Sequence, residues 1–122
     1  VPAGRDAPLK LAEALQNGQH VAMLVDQYMG NGVEVTFFGR KTKANPTLAR
    51  LLRQVECPVH GVRIIRLPNH RFRAELSEEV KPVRDASGQI DVQGTMQAVT
   101  SVVEGWVREY PDQWLWLHRR WR

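Results

Sequence analysis

The sequence predicts an α/β domain, a mixed sheet covered by helices. Three observations carry that expectation. Stretches with helical spacing of apolar residues alternate with short apolar or alternating runs, in the order α, β, β, α, β, β, α. One run, residues 20–25, is apolar on both faces, which suits a strand in the middle of a covered sheet. The chain has 122 residues, 43% of them hydrophobic, enough to bury one core without disulfides or metals. A single domain over residues 1–122 is expected.

The elements follow in order. Leu9, Leu11, Ala12, Ala14 and Leu15 mark a short helix over 9–17, stopped by Asn17-Gly18. The apolar run 20–25 ends in Asp26-Gln27 and is followed by a turn-rich Gly30-Asn31-Gly32. Val33, Val35 and Phe37 alternate with Glu34 and Thr36 as a strand, closed by Phe38-Gly39. Asn45-Pro46 starts the next helix, with Asn as N-cap and Pro at the first helical position. Its apolar stripe is Leu48, Leu51, Leu52 and Val55. The β-rich run 58–65 turns back through Leu67-Pro68-Asn69-His70, so 62–65 and 72–76 form a hairpin. Asp85-Ala86-Ser87-Gly88 is a turn. Met96, Val99, Val102, Val103, Trp106 and Tyr110 recur at helical spacing over 92–110, and Pro111 ends that helix.

Composition removes several classes. The single Cys57 forbids an internal disulfide, so a disulfide-framed scaffold is excluded. No Cys/His cluster has zinc spacing, and no apolar run reaches the ~20 residues of a membrane span. The polar start (Val1-Pro2-Ala3-Gly4-Arg5-Asp6) does not read as a signal peptide, and it lacks a Met, so a longer parent is expected. The net charge of +4 is unevenly placed. Arg40, Lys41, Lys43, Arg50 and Arg53 come with no intervening acid, and Arg119, Arg120 and Arg122 close the chain. Such a stripe attracts phosphate on nucleic acid, lipid or a small ligand, or it is simply a solvated face.

Asp26 is the first candidate residue. At the end of a buried strand it either points into a site or caps the following turn with its carboxylate oxygens. Phe37, Phe38, Gly39 and Arg40 form an apolar-then-basic run that suits an acyl chain beside a phosphate, or else core aromatics followed by a turn. Lys41 and Lys43 precede a helix N-terminus, which is either an anion site or a capped surface helix with a cationic lead-in. His70 and Glu75 have a His-x4-Glu spacing, but residues five apart in a strand face opposite ways, so they read as a decoy. His20, His60 and His118 lack partners in the sequence, and Cys57 reads as an inert core thiol. The tail Trp114-Leu-Trp116-Leu-His118-Arg-Arg-Trp121-Arg122 suits a membrane interface, stacking on single-stranded nucleic acid, or core filling beside a basic end.

Three motifs together resemble a known family. Asp26-Gln27, then Gly32-Val-Glu-Val-Thr-Phe-Phe-Gly39, then Pro111-Asp-Gln-Trp-Leu-Trp-Leu-His-Arg-Arg-Trp-Arg122 are similar to the late acyltransferases of lipid A biosynthesis, the lauroyl/myristoyl transferases. The motifs occur in the family's order, and the resemblance covers essentially the whole chain. Arg63, after the Pro58 strand, resembles the arginine usually found there. The resemblance implies part of a glycerol-phosphate-acyltransferase-like fold. It also implies transfer of a fatty acyl group from acyl-carrier protein to a hydroxyl of a lipid A precursor. Catalysis would take place at the cytoplasmic face of the bacterial inner membrane, on an anionic surface, with no cofactor, metal or nucleic acid. The family places a His-x4-Asp/Glu dyad well upstream of Asp-Gln, after a membrane anchor. Neither precedes Asp26 here, so the chain is expected to be the C-terminal half of such an enzyme, inactive alone. In that half Asp26 would be a site-wall carboxylate with Gln27 as its neighbour. Arg63 would hold Asp26 or a phosphate, Phe37 and Phe38 would flank the acyl chain, and Gly39 and Arg40 would complete the substrate side. The other readings are a small basic nucleic-acid-binding module or an interaction domain without chemistry.

Overall fold

Residues 28–44 form the first hairpin in a computed structural model that describes Gly4 and residues 6–122. Residues 1–3 and 5, and with them the polar opening read against a signal peptide, lie outside the described residues. Strands β1 (Tyr28–Phe37) and β2 (Arg40–Ala44) pair antiparallel, with Val35 opposite Thr42 and Phe37 opposite Arg40. Alternation decides which face is buried: Val35, Phe37, Thr42 and Ala44 point inward while Glu34, Thr36, Lys41 and Lys43 stay exposed. Phe38 (φ 51) and Gly39 (φ 70) make the two-residue turn, whose backbone twist suits a hairpin. Gly30, Asn31 and Gly32, expected as a turn, instead form an irregularity inside β1, where Tyr28 and Val33 both face Ala44.

The second hairpin is the expected one, with wider bounds. Strands β3 (His60–Leu67) and β4 (Arg71–Glu79) pair antiparallel, and Asn69 and His70 turn at positive φ. One face carries Gly61, Arg63 and Ile65 toward a helix, and only Ile65 among them is an apolar core residue. The other face leaves Val62, Ile64, Phe72 and Leu76 exposed.

The sheet expectation needs correcting. Among the described residues there is no mixed sheet: two separate two-stranded sheets, both antiparallel, stand in its place. Residues 20–25, expected as the central strand, pair with neither hairpin, and Leu24 is 79% exposed. An apolar run records a tendency to be buried, but a strand also needs a hydrogen-bonding neighbour. The order α, β, β, α, β, β, α survives because β2, unexpected from the sequence, takes the missing strand's place.

Helices tie the hairpins together. Helix α1 (Ala7–Gln16) buries only Ala12 and ends where Gly18 takes φ +74. Helix α2 (Thr47–Gln54) turns Ala49, Leu51 and Leu52 inward. It starts one residue later than expected, with Asn45 Oδ1 accepting from the Thr47 N–H (3.0 Å) and hydroxyl (2.6 Å). Helix α3 (Val92–Glu109) is the spine. Asp91 caps it by accepting from the Gly94 N–H at 2.7 Å. Its first half packs Met96 and Val99 with Val35, Ala44 and Ala49, and its second half packs Val103 and Val107 with Phe37. Polar side chains lock the contact: Gln97 both accepts from the Thr36 N–H (2.7 Å) and donates to the Thr36 carbonyl (2.9 Å). The expected 85–88 turn is present, closed by the Gly88 N–H on the Asp85 carbonyl at 3.0 Å.

Candidate functional site

Two cavities adjoin, with walls drawn from the unpaired segment 20–26, β3 and α3. The smaller, about 270 Å³, has Asp26, Arg63, Ile65, Tyr110 and Trp114 in its wall. The larger, about 680 Å³, is mostly apolar, walled by Leu48, Leu51, Leu52, Val99 and Val102, with His20, Cys57 and His60 among its polar edges. Met23, Val25, Val62, Val103 and Trp106 line both. Trp106 reaches the wall because β3 has no side chain at Gly61: a Cβ there would lie 2.5 Å from the indole.

Asp26 and Arg63 share the smaller cavity, yet Arg63 does not spend its donors on Asp26. Its Nη1 donates to Glu109 Oε2 at 2.6 Å, and its Nε donates to Glu75 Oε2 at 2.7 Å. The guanidinium also lies 5.4 Å from the Tyr110 ring centroid and 5.9 Å from that of Trp106. The hydrogen bond to Glu109 is the main force holding Arg63 protonated, and burial opposes it. In return, Arg63 holds the Glu75 carboxyl below its ordinary range. Two carboxylates thus neutralise this arginine already, before any phosphate arrives.

The Asp26 charge acts on Arg120, one of the arginines that close the chain, with no ion pair between the two among the described residues. Arg120 is 2% exposed. Its Nη1 donates to Thr42 Oγ1 and to the Lys43 carbonyl, both at 3.0 Å, and its Cζ stands 5.2 Å from the Phe37 ring centroid. Burial pushes the guanidinium pKa down, and the Asp26 charge partly restores it. Arg120 therefore belongs to the interior and cannot contribute to a cationic surface.

The remaining candidates fall into two groups. Phe37 is 1% exposed and lies among Phe38, Trp114 and Trp121, with ring centroids 4.8, 5.9 and 5.3 Å away. It has almost no surface to offer a ligand. Phe38 is half-buried under Arg108, whose Cζ is 4.6 Å from its ring, and Glu104 accepts its N–H at 2.8 Å. Gln27, Gly39 and Arg40 are exposed, with Arg40 6.0 Å from the Trp121 ring. His70 is exposed in its turn, and Glu75 is paired with Arg63 and Arg73, so the His-x4-Glu spacing brings nothing together. Lys43 donates to the Gly30 carbonyl and Lys41 pairs with Glu34, so both serve β1 and not the α2 N-terminus. Among the described residues no histidine bonds a carboxylate: His60 meets the Ser77 carbonyl and His118 accepts from the Tyr28 N–H. No group of three metal-ligating side chains occurs among them either.

The closing motif explains itself in three dimensions. Pro111–Gln113 is one 3-10 turn. Gln113 accepts from the Arg66 N–H (2.8 Å) and donates to its carbonyl (3.2 Å), clamping the tail to β3. Trp114 packs on Phe37, Trp116 donates to the Pro111 carbonyl, His118 caps the Tyr28 N–H, and Trp121 donates to the Phe37 carbonyl. Gln113, Trp114, Trp116, His118, Arg120 and Trp121 are each pinned, and Leu115, Leu117 and Arg119 between them face out. The signal in the sequence was the motif itself, which joins β1, β2 and β3 around the cavities.

A family model described as bacterial lipid A biosynthesis acyltransferase matches residues 5–122. No curated protein gives a significant match to the chain.

Proposed function

The chain belongs to the bacterial lipid A biosynthesis acyltransferase family, and from that premise we propose that it forms the acyl-chain wall of a transferase site. The donor in this reading is an acyl-carrier-protein thioester, and the acceptor is a hydroxyl of a lipid A precursor. The observation that carries it is the pair of adjoining cavities. The apolar one, about 680 Å³, falls in the size range of pockets that bury a small ligand. It opens beside a smaller one that has Asp26 in its wall. A fatty chain fits the first, and the reacting polar end fits the second.

In the reaction the acceptor oxygen attacks the thioester carbonyl carbon. A C–O bond forms, the C–S bond breaks, and the hydroxyl proton passes through a general base to the leaving sulfur. The family resemblance implies that the base lies on a His-x4-Asp/Glu segment upstream of Asp26, and no histidine described in this chain is oriented by a carboxylate. The chain thus corresponds to the C-terminal part of the catalytic unit, in a glycerol-phosphate-acyltransferase-like arrangement. It works at the cytoplasmic face of the inner membrane, with exposed Lys41, Lys43, Arg119 and Arg122 toward anionic headgroups. These 122 residues alone transfer no acyl group.

The test separates binding from chemistry. A medium-chain acyl-pantetheine is titrated against the chain and against Val102→Trp, which fills the apolar cavity from a half-buried position. Binding weaker by about tenfold or more, with the helical circular dichroism retained, is the expected result. Equal binding by both removes the acyl-chain assignment. Asp26→Asn in the active enzyme is expected to lower turnover by at least about tenfold while acyl-thioester affinity holds. Acyl transfer by these 122 residues alone would refute the need for a separate histidine.

A further inference from the structure

We propose that Leu115, Trp116 and Leu117, with the arginines around them, form a wedge that seats in the headgroup–acyl boundary of an anionic lipid bilayer. The inference rests on the membrane-facing part of the reading above and is independent of acyl transfer.

The three side chains are 68%, 55% and 92% exposed. They are not exposed because the segment is loose. On one side Gln113 is clamped to the Arg66 backbone and Trp114 sits on Phe37. On the other side His118 accepts from the Tyr28 N–H and Arg120 is buried against β2. Trp116 is itself fixed by its indole N–H on the Pro111 carbonyl at 2.7 Å. The fold therefore holds three consecutive apolar side chains out into solvent on a braced loop. Such a patch marks an interaction site.

Charge selects the partner. Arg66, gripped by Gln113, stands cross-strand from Phe72, which is 63% exposed. Arg66, Arg71, Arg119 and Arg122 enter no ion pair among the described residues, and Asp112 is the acid within the same tail. Apolar side chains on a loop carrying Arg119 and Arg122, and clamped to the backbone of Arg66, match hydrocarbon beneath anionic headgroups, with the indole at the interface between them. A second copy of the chain would bring the same arginines face to face. A nucleic acid would satisfy the arginines but offer nothing to two leucines. No helix among the described residues is long and apolar enough to cross a membrane, so the contact is peripheral.

The experiment is co-sedimentation of the chain with phosphatidylglycerol/phosphatidylcholine vesicles and with phosphatidylcholine alone, at low and moderate salt. Three proteins are compared: wild type, Leu115→Ser with Leu117→Ser, and Arg66→Gln with Arg119→Gln and Arg122→Gln. Wild type is expected to bind the anionic vesicles and be quenched by brominated lipid. The leucine variant is expected to lose about tenfold or more in partitioning, and the arginine variant to lose its preference for anionic lipid. Undiminished binding by the leucine variant would overturn the wedge while leaving a purely cationic membrane contact standing. Failure of wild type to bind any vesicle would overturn both the wedge and the membrane-facing reading. A dimer dissolved by the leucine substitutions, with no vesicle binding, would assign the loop to self-association instead.

Discussion

Arg120 shows how one side chain can be read two ways. Among four terminal residues with three arginines it looks solvated, and residue type alone gives no reason to bury it. Its burial is decided by Thr42 and Phe37, far off in the sequence, which supply a hydrogen-bond acceptor and a ring face. Replacing it by Leu leaves Thr42 and the Lys43 carbonyl without their donor, and should cost about 2–3 kcal/mol of unfolding free energy. Asp26 contributes an opposing charge, so the Asp26→Asn and Arg120→Leu changes should be non-additive in a denaturation double-mutant cycle. Strict additivity would show that Asp26 does not sense Arg120, and Asp26 would then stand in its cavity without a countercharge. The same contrast separates the sequence-derived candidates. Asp26 and Arg63 do line one cavity, whereas the aromatic promise of Phe37 is spent inside the core.

At the level of elements, α3 and the β3–β4 hairpin were readable because their patterns are local. A 3.6-residue apolar period ended by Pro111, and two alternating runs about a Pro-Asn turn, need no knowledge of neighbours. Strand β2 was hidden because its inward residues, Thr42 and Ala44, are small and its outward ones are lysines. Nothing in that alternation looks hydrophobic. Gly30 and Gly32 read as a turn, although glycine serves turns and bulges alike. The structure resolves the choice at Gly32, where a Cβ would come within 2.1 Å of the Ala44 carbonyl oxygen. That oxygen is backbone and cannot swing aside, so Gly32→Ala should open the β1 irregularity and destabilise by about 1–3 kcal/mol, read as a shift in the urea midpoint. An unshifted midpoint would mean that β1 can slide past Ala44, and that its register is weakly held. By contrast, removing the α3 cap with Asp91→Ala should cost only about 1 kcal/mol.

For the molecule as a whole, the two hairpins share no strand, so their relative placement depends on α3 and the tail. Two carboxylates on α3 do part of that work: Glu104 accepts the Phe38 N–H at the β1–β2 turn, and Glu109 receives Arg63 from β3. Glu104 is held below its ordinary value of 4.5, first by that N–H and then by Arg108. Glu75, which shares Arg63, is lowered too, first by its hydrogen bond to that arginine. The sign follows from proton counting. Above the ordinary value both folded and unfolded states are ionised and the stabilisation is complete. As pH falls, the unfolded chain takes up protons first, so stability declines and is gone once the pH has passed below the lowered folded values. Unfolding midpoints should therefore be level near neutrality and fall as acid passes through the carboxylate range. Glu104→Gln keeps an acceptor for the Phe38 N–H but removes the charge. It should cost about 1 kcal/mol near pH 7, and the gap to wild type should close at low pH. A gap that persists in acid would show that shape, not charge, makes Glu104 the link between α3 and the first hairpin.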